Sequence, residues 1–185
     1  MAARYAQLIA DELSRLDPVN AATFRANAAR FAAKIAELDA AMRTSFATVP
    51  KRELLTYHDA YAYFGKEYGW TIIGAIQPSN FEDPTPKEVA GIIDQIRELK
   101  VPVIFGSEVF PSDVLAQIAE ETGARYEDTL RDDDLPGAPG DAEHSWMGLM
   151  RYDYVTMIKG LGGTAPTLEA LDVADIAPDS ADYPQ

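Results

Sequence analysis

Apolar residues recur every three or four positions through the first quarter of the chain, and the rhythm changes at Pro50. Tyr5, Leu8, Ile9, Leu13 and Leu16 lie at helical spacing, so residues 2–16 are expected to form a helix. Asp17-Pro18 reads as a stop and a restart, with Asp17 as N-cap and Pro18 at the first helical position. Phe24, Ala28, Phe31, Ile35, Leu38, Met42 and Phe46 then follow in steps of mostly four and three. They predict one helix of roughly 28 residues, about 40 Å long at about 1.5 Å per residue. A helix of that length suits a bundle, a coiled coil, or a rigid strut between two lobes.

Beyond Pro50 strand and helix patterns alternate. Residues 53–57 read as a strand, 59–68 as a helix and 70–76 as a second strand, with a loop over 77–84. Thr85-Pro86-Lys87-Glu88 is a capping box with proline at its first helical position, opening a helix to about Lys100. A short buried-type strand is expected over 101–105, then a helix capped near Ser112 and ending at Thr122-Gly123, then a fourth strand over 124–129. After a loop containing Pro136, Gly137, Pro139 and Gly140, a last helix is expected from about His144 to Lys159. Such alternation implies right-handed crossovers and an α/β fold: a four-stranded, mostly parallel sheet flanked by helices and preceded by a long linking helix. The expected divisions are 1–49 for the N-terminal and linking helices, 50–162 for the α/β lobe, and 163–185 for an acidic, disordered tail. The tail from residue 164 carries Pro166, Pro178 and Pro184 with five acidic residues and no basic one.

Composition narrows the function classes. A formal net charge of −14 argues against a nucleic-acid partner, whose phosphates require a basic surface. No apolar run approaches the ~20 residues of a membrane span, and Met1-Ala2-Ala3-Arg4-Tyr5 carries no charged-then-apolar signal peptide. With no cysteine, disulfides and thiolate metal sites are excluded.

The chain has only two histidines, and both stand where core packing explains them poorly. His58 ends the first strand, and His144 precedes the last helix. In an open parallel sheet ligands bind beyond the carboxyl ends of the strands. His58 follows the first strand, Ser107 and Glu108 the third, and the loop bearing Asp141, Glu143 and His144 the fourth. His58, Glu108 and His144 are therefore the candidate ligands of a divalent cation, a nitrogen and carboxylate set suited to zinc, manganese or iron(II). Duller roles exist for each: a hydrogen-bonded turn histidine at 58, a solvated loop carboxylate at 108, a helix-start histidine at 144. Asp59 is expected to cap the following helix or to orient His58 from behind. Asp132–Asp134 lacks the alternation and distal glutamate of a calcium loop and reads as solvated. Tyr57, Tyr61 and Tyr63 read as core and rim aromatics. Nucleophile-elbow, glycine-rich phosphate and HExxH motifs are absent.

Several segments together resemble the zinc/manganese solute-binding proteins of bacterial ABC importers, an adhesin-like family of metal receptors. They are Leu16-Asp17-Pro18-Val19-Asn20-Ala21-Ala22-Thr23-Phe24, Tyr57-His58-Asp59-Ala60-Tyr61-Ala62-Tyr63-Phe64, Glu120-Glu121-Thr122-Gly123 and Met150-Arg151-Tyr152-Asp153. The resemblance runs from about residue 2 to 162. It implies two α/β lobes joined by one long helix with the metal in the cleft between them, of which this chain carries the linking helix and C-terminal lobe only. It matches His58 to the C-lobe histidine of the zinc-type members. In two places the chain departs from the pattern. The family's loop glutamate would fall at Ser107, one residue before Glu108, and its final aspartate falls at His144. Zinc is thereby the expected cargo and manganese the alternative. The implied partners are the metal ion, a membrane ABC permease and a separate N-terminal lobe, and the implied compartment is extracytoplasmic. The rival readings are a metal-dependent hydrolase, with Glu143 or Asp59 as its base, and a truncated lobe that binds nothing.

Overall fold

The break between the first two helices is set by a side chain. In the computed structural model, which describes residues 1–76, 84–107, 113–131 and 134–176, helix α1 spans Ala2–Leu16 and α2 spans Ala21–Phe46. Asp17 is the C-cap of α1 and does not cap α2. Its carboxylate accepts the Asn20 amide side chain at 2.7 Å and the Asn20 backbone N–H at 3.3 Å. That closes a turn through Pro18 and delays the start of α2, leaving 26 residues. α1 packs on α2 through small residues, with Ala10, Ser14 and Ala28 all buried. Its larger apolar residues, Tyr5, Leu8, Ile9 and Leu16, are exposed.

Past α2 the chain alternates as expected: β1 (Glu53–Thr56), α3 (Ala62–Tyr68), β2 (Thr71–Ala75), α4 (Pro86–Leu99), β3 (Val103–Ser107), α5 (Asp113–Thr122), β4 (Arg125–Leu130), α6 (Trp146–Gly160) and a short α7 (Pro166–Glu169). The four strands form one parallel sheet in the order β2-β1-β3-β4, with Thr56 opposite Phe105 where β1 meets β3. Residues alternate between its faces. Leu54, Val103, Phe105 and Leu130 enter a core closed by α2, α6 and α7, while Leu55, Tyr57 and Ile104 enter one closed by α4 and α5. A sheet covered on both faces needs apolar residues at successive positions, hence the runs in β1 and β3. Leu38, Met42 and Phe46 are buried in the first core, so the second half of α2 belongs to the packing of the lobe.

Several boundaries move for identifiable reasons. Thr85 forms the expected capping box, its hydroxyl accepting from the Glu88 N–H at 3.3 Å while Glu88 accepts the Thr85 N–H at 2.8 Å. β3 starts two residues later than expected because Pro102 has no N–H to enter the ladder; its carbonyl still accepts the Arg125 N–H at 2.9 Å. α3 starts at Ala62 with Tyr61 in the N-cap position, so Asp59 does not cap it.

The acidic tail is the larger correction. Over the described part, to residue 176, it is folded: α7 forms, Ala165, Leu168 and Val173 are buried, and Leu168 has no exposed surface. Average composition concealed apolar residues at the spacing needed to cover the first core. Residues 177–185 lie outside the described part.

Candidate metal centre

β1 delivers His58 through a tight turn. The Thr56 hydroxyl donates to the His58 carbonyl at 2.7 Å, and the Ala60 N–H donates to the same oxygen at 3.0 Å. The His58 main chain is thus pinned within two residues of the strand end. Buried Tyr57 meets the His58 ring edge-on, 4.9 Å between centroids at 87°. His58 itself is half-buried.

His144 is held by the loop before α6. Asp141 accepts the Ala138 N–H at 2.9 Å, and the Asp141 carbonyl accepts the His144 N–H at 3.0 Å. The imidazole Nδ1 lies 3.2 Å from the Pro136 carbonyl. A carbonyl oxygen can only accept, so Nδ1 carries the proton of the neutral ring and Nε2 keeps its lone pair. That is how metal-ligating histidines are oriented. Ser145 follows as the N-cap of α6: its hydroxyl accepts the Gly148 N–H at 2.9 Å and donates to the Val173 carbonyl at 2.5 Å. The roles of Pro136, Ser145 and Gly148 around His144 were not read from the sequence. Only Ser145 left a signal there, as a serine directly before an apolar-periodic run.

Sheet order explains why the ends of β1 and β3 share an edge. The direction of winding reverses between β1 and β3, and a crevice opens beyond the carboxyl ends of strands at such a reversal. His58 leaves β1 and Ser107 ends β3 there, with Ser107 buried. Glu108 lies outside the described residues, as do Asp132 and Asp133; Asp134 is exposed. Among the described residues no three His, Asp or Glu side chains gather closely enough to enclose a cation. Asp59 and Glu143 are exposed, and so is Tyr63, with 76% of its surface free at the rim. No helix among the described residues is long and apolar enough to cross a membrane.

The family profile described as zinc-uptake complex component A, periplasmic, matches residues 1–160. The chain belongs to that family. The iron-binding protein YfeA of Yersinia pestis is 34% identical over 161 residues, which are 85% of this chain and 51% of that protein. The manganese-binding lipoprotein MntA of Halalkalibacterium halodurans is 24% identical over 160 residues, 85% of this chain and 53% of its own. The high-affinity zinc uptake protein ZnuA of Paracoccus denitrificans is 29% identical over 154 residues, 83% and 44% of the two chains. The chain thus spans about half the length of the curated relatives it matches. Among solved structures, a periplasmic metal-binding protein from Candidatus Liberibacter asiaticus superposes with a TM-score of 0.75 at 26% identity, over 86% of this chain and 60% of that one. A ZnuA crystal structure does so with a TM-score of 0.71 at 25% identity, over 88% and 58%. Family membership and the four-stranded parallel α/β lobe therefore agree.

Proposed function

We propose that this chain is the cation-capturing component of a divalent-metal importer, with zinc as cargo and manganese as the alternative. His58, Glu108 and His144 would bind the ion. Capture is by direct ligation, with no bond made or broken in the cargo, and the ion is passed to an ABC permease on the outer face of a membrane. What carries this reading is His144: its Nδ1 proton is taken by the Pro136 carbonyl, so Nε2 is the nitrogen left to bind a cation. His58 supports it from the carboxyl end of β1. Imidazole at both positions favours zinc over harder cations. Relatives about twice as long have further chain with which to surround an ion. Ligands from this chain alone leave one side to water, which predicts weaker binding than in such relatives.

The test is a zinc titration of the purified 185-residue chain, read by competition with a chromogenic chelator. His58→Ala should weaken binding at least about tenfold, since losing even an outer-shell partner of a metal ligand costs that much. Equal affinity in the variant would remove His58 from the site.

A further inference from the structure

Residues 171–174 follow α7 as an irregular segment with no partner strand, yet its carbonyls are all accounted for. Arg151 of α6 donates to Leu171 O at 3.1 Å. Lys34 of α2 donates to Asp172 O at 3.4 Å and to Ala174 O at 2.7 Å. Ser145, at the mouth of α6, donates to Val173 O at 2.5 Å. The Lys34 ammonium also pairs with the Asp172 carboxylate at 3.0 Å, and the other Asp172 oxygen accepts the Ala174 N–H at 3.1 Å. Four successive carbonyls are thus taken by side chains from two helices, Lys34 on one side and Arg151 and Ser145 on the other. Extended backbone normally finds such partners in a strand or in water.

Ser145 is the residue after His144. It is 3% exposed and Val173 is 4% exposed, so their bond forms out of water, where it is electrostatically stronger. One turn before Lys34, Phe31 of α2 meets Trp146 edge-on at 5.5 Å between centroids. The middle of the long helix therefore reaches the residues just after His144 twice, once through aromatic contact and once through this segment. Ligands must be held to about 0.5 Å to meet one ion productively. The Pro136 carbonyl sets the rotation of the imidazole but not the position of its main chain.

We propose that residues 171–174 are a positioning clamp that fixes His144 against the linking helix, with Lys34, Ser145 and Asp172 as positioning residues and divalent-cation affinity as the property controlled. Its functional meaning rests on the metal-receptor reading above; its structural claim, that Lys34 governs the setting of His144, does not.

The test compares four full-length proteins: wild type, Lys34→Met, His144→Ala and the double variant. Lys34→Met keeps the aliphatic stem and removes the donors; Asp172→Asn provides a second variant that leaves α2 unaltered. Zinc affinity is measured by chelator competition, and the His144 ring resonances by ¹H–¹⁵N correlation spectra. Lys34→Met should weaken zinc binding about tenfold, the lower end of the outer-shell range, in the wild-type background. It should have no effect in the His144→Ala background, and it should shift the His144 ring resonances without metal. Equal losses in both backgrounds would reduce the segment to general scaffolding and overturn the clamp, as would unmoved ring resonances in both Lys34→Met and Asp172→Asn. Wild-type protein that fails to bind zinc while its His144 resonances respond to Lys34→Met would sink the metal reading and leave the clamp standing.

Discussion

Gly148 shows how little room surrounds the turn that carries His144. It lies in the first turn of α6 under the backbone of Glu143. A Cβ added there would stand 2.8 Å from the Glu143 carbonyl carbon and 3.0 Å from its Cα, and would overlap the carbonyl oxygen. Main chain cannot swing aside as a side-chain tip can. Alanine normally favours a helix over glycine by about 1 kcal/mol; here overpacking should reverse the sign. Gly148→Ala is expected to lose about 1–3 kcal/mol in urea unfolding and to weaken zinc binding by displacing His144, although neither Gly148 nor Glu143 is among the proposed ligands. A variant as stable as wild type would refute the close approach. The sequence displays the glycine but not its neighbour, because that contact exists only once the loop has folded back. Likewise, the two histidines were conspicuous by their scarcity and by their places at a strand end and a helix start, whereas the Pro136 carbonyl that orients one of them has no signature in residue type.

At the scale of elements, local chemistry was legible wherever local chemistry decides. The α4 start was readable because a capping box closes within four residues. Periodicity placed α1, α2 and the alternating strands for the same reason. Two cap assignments moved because several residues close to a helix start compete for the same position. Asp17 was expected to cap α2 and instead closes a turn with Asn20; Asp59 was expected to cap α3 or to orient His58, and it is exposed with Tyr61 in the cap position. The tail failed for a different reason: a segment can be acidic and proline-rich on average and still present the few apolar residues a core requires. Leu168 has no exposed surface and sits in the core with Phe46, Met157 and Ile158. Leu168→Ala should therefore cost about 2–5 kcal/mol in urea unfolding, whereas a loss within a few tenths of a kcal/mol would return the tail to the surface role its composition implied.

The molecule as a whole is tied together by an aromatic hub. Phe46 of α2 meets Phe64, Tyr68, Trp70 and Tyr154 edge-on at centroid distances of 5.2–5.9 Å, and Phe64 stacks on Tyr154 at 5.5 Å. One ring of the long helix thereby joins α3, the start of β2 and α6. Burial, and then the neighbouring Asp153 carboxylate, push the Tyr154 phenol up from 10.0 to about 12. Its neutral form is held in the fold beyond the pH at which the unfolded chain ionises. That stabilisation is complete below pH 10 and is lost as pH rises from 10 to about 12. Urea midpoints measured from pH 9 upward should fall across this window, and less steeply in Tyr154→Phe. Identical slopes for the two proteins would separate Tyr154 from the alkaline transition.

By itself the sequence determined the kind of fold, since helix and strand periods and turn chemistry are written in near neighbours. It also determined the candidate ligand types, because imidazole occurs only twice in the chain. Tertiary structure decided which strands are adjacent, which edge holds the winding reversal, and that residues 171–174 lie between α2 and α6. Those outcomes depend on contacts between residues far apart in the chain, such as Thr56 with Phe105 and Lys34 with Asp172. No local pattern encodes such a contact. It is selected by the burial and hydrogen bonding of the whole chain together.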